Sequence, residues 1–254
     1  GSTSTLFVRG GSPDQNLVLL DGMALYQTSH MFGFLSSISP EAIKDVQIFK
    51  GHIPAKFGGR TSSVVELSSR SGNNTSLHGS VYGNLMSSGI LAEMPIFGRG
   101  SIIFNSRKSR PSNQFSEVYK SIQKFITGDN KFNLITETGD QNTNQNTEYD
   151  LYSSYEDFFS RLSFIISPKH RMTFTLVSGK DSILEERTYH GFSNILESDT
   201  AYIREKNTFK NLGQSLNFYS QWDNKYSTHF SISNYSYENE YFSKQTSPYG
   251  NNNS

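Results

Sequence analysis

Cysteine is absent from the 254 residues, which removes disulfide frameworks, thiolate nucleophiles and cysteine-ligated zinc together. No run of about 18 apolar residues occurs, so no membrane-spanning helix is encoded, and the N-terminus lacks the basic-then-apolar order of a secretory signal. Net charge is missing as well: Lys plus Arg and Asp plus Glu number 23 each. No overall field therefore draws the chain to nucleic acid or anionic lipid. Hydrophobic residues make up only 34%, a poor supply for a large water-shielded core. A membrane role would have to come from strands closed into a barrel.

What is abundant points the same way. Aromatic residues reach 13%, with 19 Phe and 14 Tyr, and such side chains favour pleated, half-buried surfaces. The stretch "GHIPAKFGGRTSSVVEL", residues 51–67, has the glycines of a phosphate loop but not its spacing: Lys56 stands where the second glycine belongs. A strand follows it, whereas a phosphate loop opens a helix. Nucleotide binding is set aside on both counts.

Two grammars divide the chain. In residues 1–75, "LVLLDG" at Leu17–Gly22 is a short apolar run closed by a turn signal, as in a strand covered on both faces. Ser39, Pro40 and Glu41 form a helix start. That helix must be short, because Val46, Ile48 and Lys50 already alternate like a strand. Gly58 and Gly59 allow a tight turn before the strand at Val64–Leu67.

From about residue 77 the period is two. Phe158, Leu162, Phe164 and Ile166 oppose Phe159, Arg161, Ser163 and Ile165; Met172, Phe174 and Leu176 oppose Arg171, Thr173 and Thr175. Leu212, Leu216, Phe218 and Trp222 oppose Gly213, Ser215, Asn217 and Gln221, and Tyr226, Phe230 and Ile232 oppose Ser227, His229, Ser231 and Ser233. Each strand has one apolar and one polar face. Short turns at 97–100, 167–170 and 223–225 alternate with long polar segments at 108–154 and 178–206. That alternation suits an outer-membrane barrel with tight periplasmic turns and long outer loops, and is rare in compact soluble domains. Within the first long segment, Phe115, Val118, Tyr119, Ile122 and Ile126 have roughly helical spacing.

Three stretches, "LFVRGGSPDQNLVLLDGMALY", "HMFGFLSSISPEAIKDVQIFKG" and "IPAKFGGRTSSVVELSSRSG", resemble the later part of the plug domain of TonB-dependent outer-membrane receptors. The pattern is closest to the Bacteroidota branch that often carries a carboxypeptidase-like regulatory domain ahead of the plug. The resemblance covers residues 3–75 directly and the remainder by architecture. It implies a mixed fold: a partial α/β plug over residues 1–75, then antiparallel up-and-down strands of a transmembrane β-barrel over 76–254. About seven strands are expected here, against about 22 in such a transporter, so the chain reads as an internal fragment.

By the same resemblance the protein is not an enzyme. The resemblance implies a receptor that would take up a metal chelate, cobalamin, glycan or peptide with energy from the inner-membrane TonB complex, which it would touch through a segment outside this chain. Outer-membrane lipid is its other partner, and neither cofactor nor nucleic acid is implied. Arg9 in "FVRGG" matches a family arginine at the plug–barrel contact, and Lys50 stands where many relatives carry Arg. Tyr26, His30, Met31 and Phe32 would rise toward the outer side as substrate contacts, with Tyr149, Tyr152, His190 and Phe192 as further candidates.

The six histidines show no pair at metal-ligand spacing. Glu185 and Glu186, beside Arg187, read as a solvated loop cluster, and Trp222 and Tyr226 as part of an interfacial girdle. The barrel register makes Phe218→Arg costly and Asn217→Arg mild. The alternative class is a non-transporting outer-membrane or surface protein, an adhesin-like sandwich or a subunit of an envelope complex, for which loops should be short at both ends.

Overall fold

The computed structural model describes residues 15–26, 28–30, 35–51, 53–58, 62–109, 147–190 and 200–246. Arg9, Met31, Phe32, Phe192 and the helical spacing over 115–126 lie outside the described residues, as do the side chains of Tyr149 and His190.

In chain order the strands are β1 (Asn16–Leu20), β2 (Met23–Ala24), β3 (Ser29–His30), β4 (Leu35–Ser36), β5 (Ile43–Lys50), β6 (Ser63–Ser69), β7 (His78–Gly83), β8 (Ser87–Ile96), β9 (Gly100–Ser109), β10 (Thr147–Ser167), β11 (His170–His190), β12 (Thr200–Gln221) and β13 (Ser227–Thr246). They form a four-stranded sheet in the order β2-β1-β6-β5, a small β3-β4 pair, and a seven-stranded sheet running β7 to β13 in sequence order. The last is an up-and-down meander, with the number of strands that the sequence pattern gives.

The first sheet grows from the apolar run. β1 lies between β2 and β6, parallel to the latter with Leu17 opposite Val64 and Leu19 opposite Glu66. Leu19, Leu20, Val64 and Val65 are buried. Asp21 and Gly22 make the two-residue connection to β2, with φ of 48° and 86°. Both central residues of that turn need the left-handed region, which Asp-Gly supplies at little cost.

The short helix expected after Ser39 is a single 3-10 turn, Pro40–Ala42. Ile43 is already extended and pairs with Ser69, which leaves no room for an α-helical turn. The turn plants Ala42, fully buried, among Leu91, Ile103 and Phe159.

In the large sheet the polarity is inverted relative to a water-soluble sandwich. On β8, Ser87, Gly89, Leu91 and Glu93 are buried while Ser88, Ile90, Ala92 and Met94 are exposed. On β12, Asn211, Ser215 and Asn217 are buried and Leu212 is 51% exposed. On β11, Thr173 and Thr175 are buried with Phe174 between them facing out. The face carrying serine, threonine and asparagine is the covered one.

Turns at Phe97–Arg99, at Pro168–Lys169 and between Gln221 and Ser227 are short, as expected. The β7–β8 connection, Asn84–Met86, is short too, so loop lengths alternate only from β9 onward. The long segment expected over 178–206 is largely strand: β11 runs to His190 and β12 begins at Thr200.

The chain divides into two compact units. One comprises Gly1–Ser109, Tyr155–Lys180 and Phe209–Glu238, the other Arg110–Ser154, Asp181–Thr208 and Asn239–Ser254.

Candidate functional site

Within the first unit, the Asp21–Gly22 turn is gripped by one strand after another of the large sheet. Asp21 Oδ1 accepts from Ser69 N and from Arg161 Nη1 on β10, both at 3.0 Å. Oδ2 accepts from Thr175 Oγ1 on β11 at 2.7 Å and from the Ser69 hydroxyl. The main-chain oxygen of Asp21 accepts from Ser215 Oγ at 2.7 Å and Asn217 Nδ2 at 3.2 Å, both on β12. Gly22 O accepts from Ser233 Oγ on β13 at 3.2 Å. The strands thus deliver the inward-facing polar residues of their period-two pattern to a single hairpin tip. The Asp21 and Arg161 side chains are 6% and 12% exposed, so the pair is desolvated and depends on this full set of partners.

A second anchor lies around His30 at the end of β3. Its Nε2 is 2.7 Å from Asp157 Oδ1. Arg107 Nε and Nη2 both donate to Asp157 Oδ2, at 2.9 and 2.5 Å, and Nη2 also donates to Ser36 O at 2.6 Å. The Tyr155 ring stacks on His30 at 4.3 Å, and the Arg107 guanidinium lies 5.2 Å from that ring. A third contact joins Arg70 to Glu93 of β8, whose other oxygen accepts from Asn73 N at 2.8 Å.

The proposed contact residues separate by exposure. His30 is 1% exposed, held as described; Tyr26 is 64% exposed, its ring 5.8 Å from that of Tyr235. Lys50 is exposed at the end of β5. Asp21, Asp157, Arg107 and Arg161 escaped sequence reading, since an Asp-Gly pair signals only a turn and their partners are about 50 or more positions away in the chain. The one available signal was that Arg107, Asp157 and Arg161 are charges on the same alternate positions as the buried Ile103, Asn105, Tyr155 and Phe159.

In the second unit, Glu185, Glu186 and Arg187 lie on β11 rather than in a loop, which corrects the solvated-cluster reading. Glu186 Oε1 accepts from Tyr202 Oη at 2.7 Å and meets Arg204 Nε at 3.1 Å. Arg187 Nη2 is 2.7 Å from Glu185 and 3.3 Å from Glu205, and Glu205 accepts from Tyr241 Oη at 2.6 Å. Opposite charges on neighbouring strands face one another and hold these segments extended. The hydrogen bond to Glu186 raises the Tyr202 phenol above the usual tyrosine range, with desolvation adding to it. The bond to Glu205 raises Tyr241 likewise. Among the described residues no group of three or more acidic, cysteine or histidine side chains is disposed to hold a metal ion.

Residues 1–65 match the family model of the TonB-dependent Receptor Plug Domain. No curated protein matches the chain. Among solved structures the chain is similar to the copper transporter OprC, with 10% identity and a TM-score of 0.44 over 94% of this chain and 41% of that one. It is also similar to a mutant of the ferric enterobactin receptor PfeA from Pseudomonas aeruginosa in complex with enterobactin, with 12% identity and a TM-score of 0.42 over 92% of this chain and 42% of that one. The chain spans about two fifths of the length of these proteins. At scores this low the likeness carries no weight for the chemistry of this chain.

Proposed function

We propose, with the TonB-dependent receptor plug sequence of residues 1–65 as premise, that this chain is part of an outer-membrane uptake receptor energised by the inner-membrane TonB complex. Residues 1–75 are the later part of its plug and residues 76–254 the first strands of its barrel. The plug match carries the reading. The inverted polarity of the large sheet supports it: Ile90, Met94, Phe174, Leu212, Phe230 and Ile232 are exposed on the face that lipid would cover. Leaving such a face in water would forfeit about 25 cal/mol for each Å² that lipid contact removes from solvent.

In this role the Asp21 turn, the His30–Asp157–Arg107 group and Arg70–Glu93 fasten the plug to the barrel wall. Arg9 and Lys50 are further plug–barrel contacts. Tyr26, Met31 and Phe32 meet the nutrient directly, and His30 serves them by anchoring the segment that carries them. The nutrient is a metal chelate, cobalamin, glycan or peptide, and TonB engages a segment outside these residues.

The test expresses the intact receptor in an outer membrane and follows uptake of a panel drawn from those four classes, with the TonB complex functional or disabled. Uptake of one class that stops when the complex is disabled is the expected result. Uptake that persists unchanged without it would refute energised transport.

A further inference from the structure

On the side of the Asp21 turn toward Gly100 and Phe164, the first unit encloses an open polar cleft of about 570 Å³. Its charged lining is lopsided: Lys44, Arg161 and Arg171 face it, and Asp21 is the sole carboxylate among its described lining residues. That carboxylate is spent on Arg161 Nη1 at 3.0 Å. Arg161 Nε is buried and has no hydrogen-bond partner. Thr173 is 6% exposed, lines the same cleft, and its Oγ1 is also without a partner. Buried donors left unmatched are uncommon and cost about 1–3 kcal/mol each, and both of these belong to residues that line one cleft, so a small side-chain shift would let an acceptor there reach them.

The backbone contributes as well. The β5–β6 register slips between Ile43 and Asp45, which makes Lys44 the extra residue of a β-bulge. A bulge bends its strand and re-aims the side chain it carries, here to the cleft. Arg171 lies across the cleft, exposed, its guanidinium 5.0 Å from the Tyr219 ring. A water molecule would satisfy Arg161 Nε and Thr173 Oγ1 but leave the surplus positive charge unanswered. A phosphate or carboxylate group answers both.

We infer that this cleft is a binding site for a small oxyanion, held by Arg161 Nε, Thr173 Oγ1, Arg171 and Lys44. The inference does not depend on the receptor reading. Two sources can supply the group, a free solute and a lipid headgroup, and they call for different probes.

The experiment is calorimetric titration of the intact protein in neutral detergent with inorganic phosphate, and separately with dihexanoyl phosphatidylglycerol. Saturable binding of at least one probe is expected, and which one binds identifies the source. Arg171→Ala and Lys44→Ala change exposed side chains and should each weaken it by about tenfold, the loss of one charged hydrogen bond. Thr173→Val keeps the shape and should weaken it several-fold. Absence of saturable binding for both probes, or full affinity in the Arg171→Ala/Lys44→Ala double variant, overturns the site.

Discussion

The carboxylate of Asp21 has four donors and its carbonyl oxygen two more, so no substitution leaves that turn unaffected. Asp21→Asn keeps the volume but removes the charge facing Arg161, leaving a desolvated cation unmatched. Breaking such a pair from one side costs about 3–5 kcal/mol, and the urea midpoint of the detergent-solubilised protein should fall accordingly. Thr175→Val deletes one bond to the same carboxylate and should cost less, about 1.5–3 kcal/mol. A larger loss for Thr175→Val than for Asp21→Asn would count against this ordering.

Tyr202 gives a pH signature at the same scale. It lies beyond the roughly 9–11 residues next to the Trp222–Tyr226 turn that a bilayer crossing would use. Its hydrogen bond to Glu186 raises the folded-state phenol above its unfolded value, so the stabilisation is complete below the ordinary tyrosine range and is lost as pH climbs through the raised value. Ultraviolet titration should show several late-ionising tyrosines, Tyr241 among them, and Glu186→Gln should return one of the set toward the ordinary range.

At the scale of the strand, the alternation of inward and outward residues along β11 and β12 sets what each substitution costs. Phe174 on β11 faces outward, and Phe174→Arg should cost about 2–4 kcal/mol near a bilayer midplane. The expectation that Asn217→Arg is mild does not survive the structure. Asn217 is 3% exposed, donates to Asp21 O and Ser215 Oγ, and accepts from His229 Nε2 at 3.1 Å if that nitrogen is protonated. The inward face is filled by the first sheet rather than by water, so an arginine there must displace the Asp21 turn. Gly213 is equally constrained: a Cβ would stand 2.7 Å from Tyr235 and 2.8 Å from Val177. Gly213→Ala should therefore cost about 1–3 kcal/mol through overpacking, read from the same urea midpoint.

The strand faces, the three tight turns and the turn that closes Leu17–Gly22 were legible in the sequence, because each rests on local periodicity or on a turn's need for positive φ; the return strand β2 that makes this turn a hairpin was not. The outer reaches of β11 and β12 were not, since Glu185, Glu186, Arg204 and Glu205 are charged without an apolar face and become strand only through cross-strand pairing. The anchors around Asp21 and His30 were hidden for a related reason. Their partners converge from strands far along the chain, and no local pattern announces which inward side chain will meet which turn.

At the scale of the whole molecule, these anchors share one property: each sets a polar side chain of the segment before β7 against a charged side chain of the large sheet, through Asp21–Arg161, His30–Asp157 and Arg70–Glu93. Under the receptor reading, these contacts keep the barrel shut until energy is applied, and their summed strength sets how readily the plug leaves. Asp21→Asn and Asp157→Asn each weaken a different anchor. Asp157 answers Arg107 and His30 together, so its loss strands one buried cation and loosens β3. Because the two anchors share no partner, their effects should add. The double variant should therefore destabilise the plug by more than either single change and raise passive leakage. In planar bilayers the intact wild-type receptor should be electrically quiet, each single variant should show rare openings, and the double variant should open often. A double variant as quiet as the wild type, with its lowered urea midpoint confirmed, would mean that other contacts hold the plug, and these two anchors would then serve folding rather than closure.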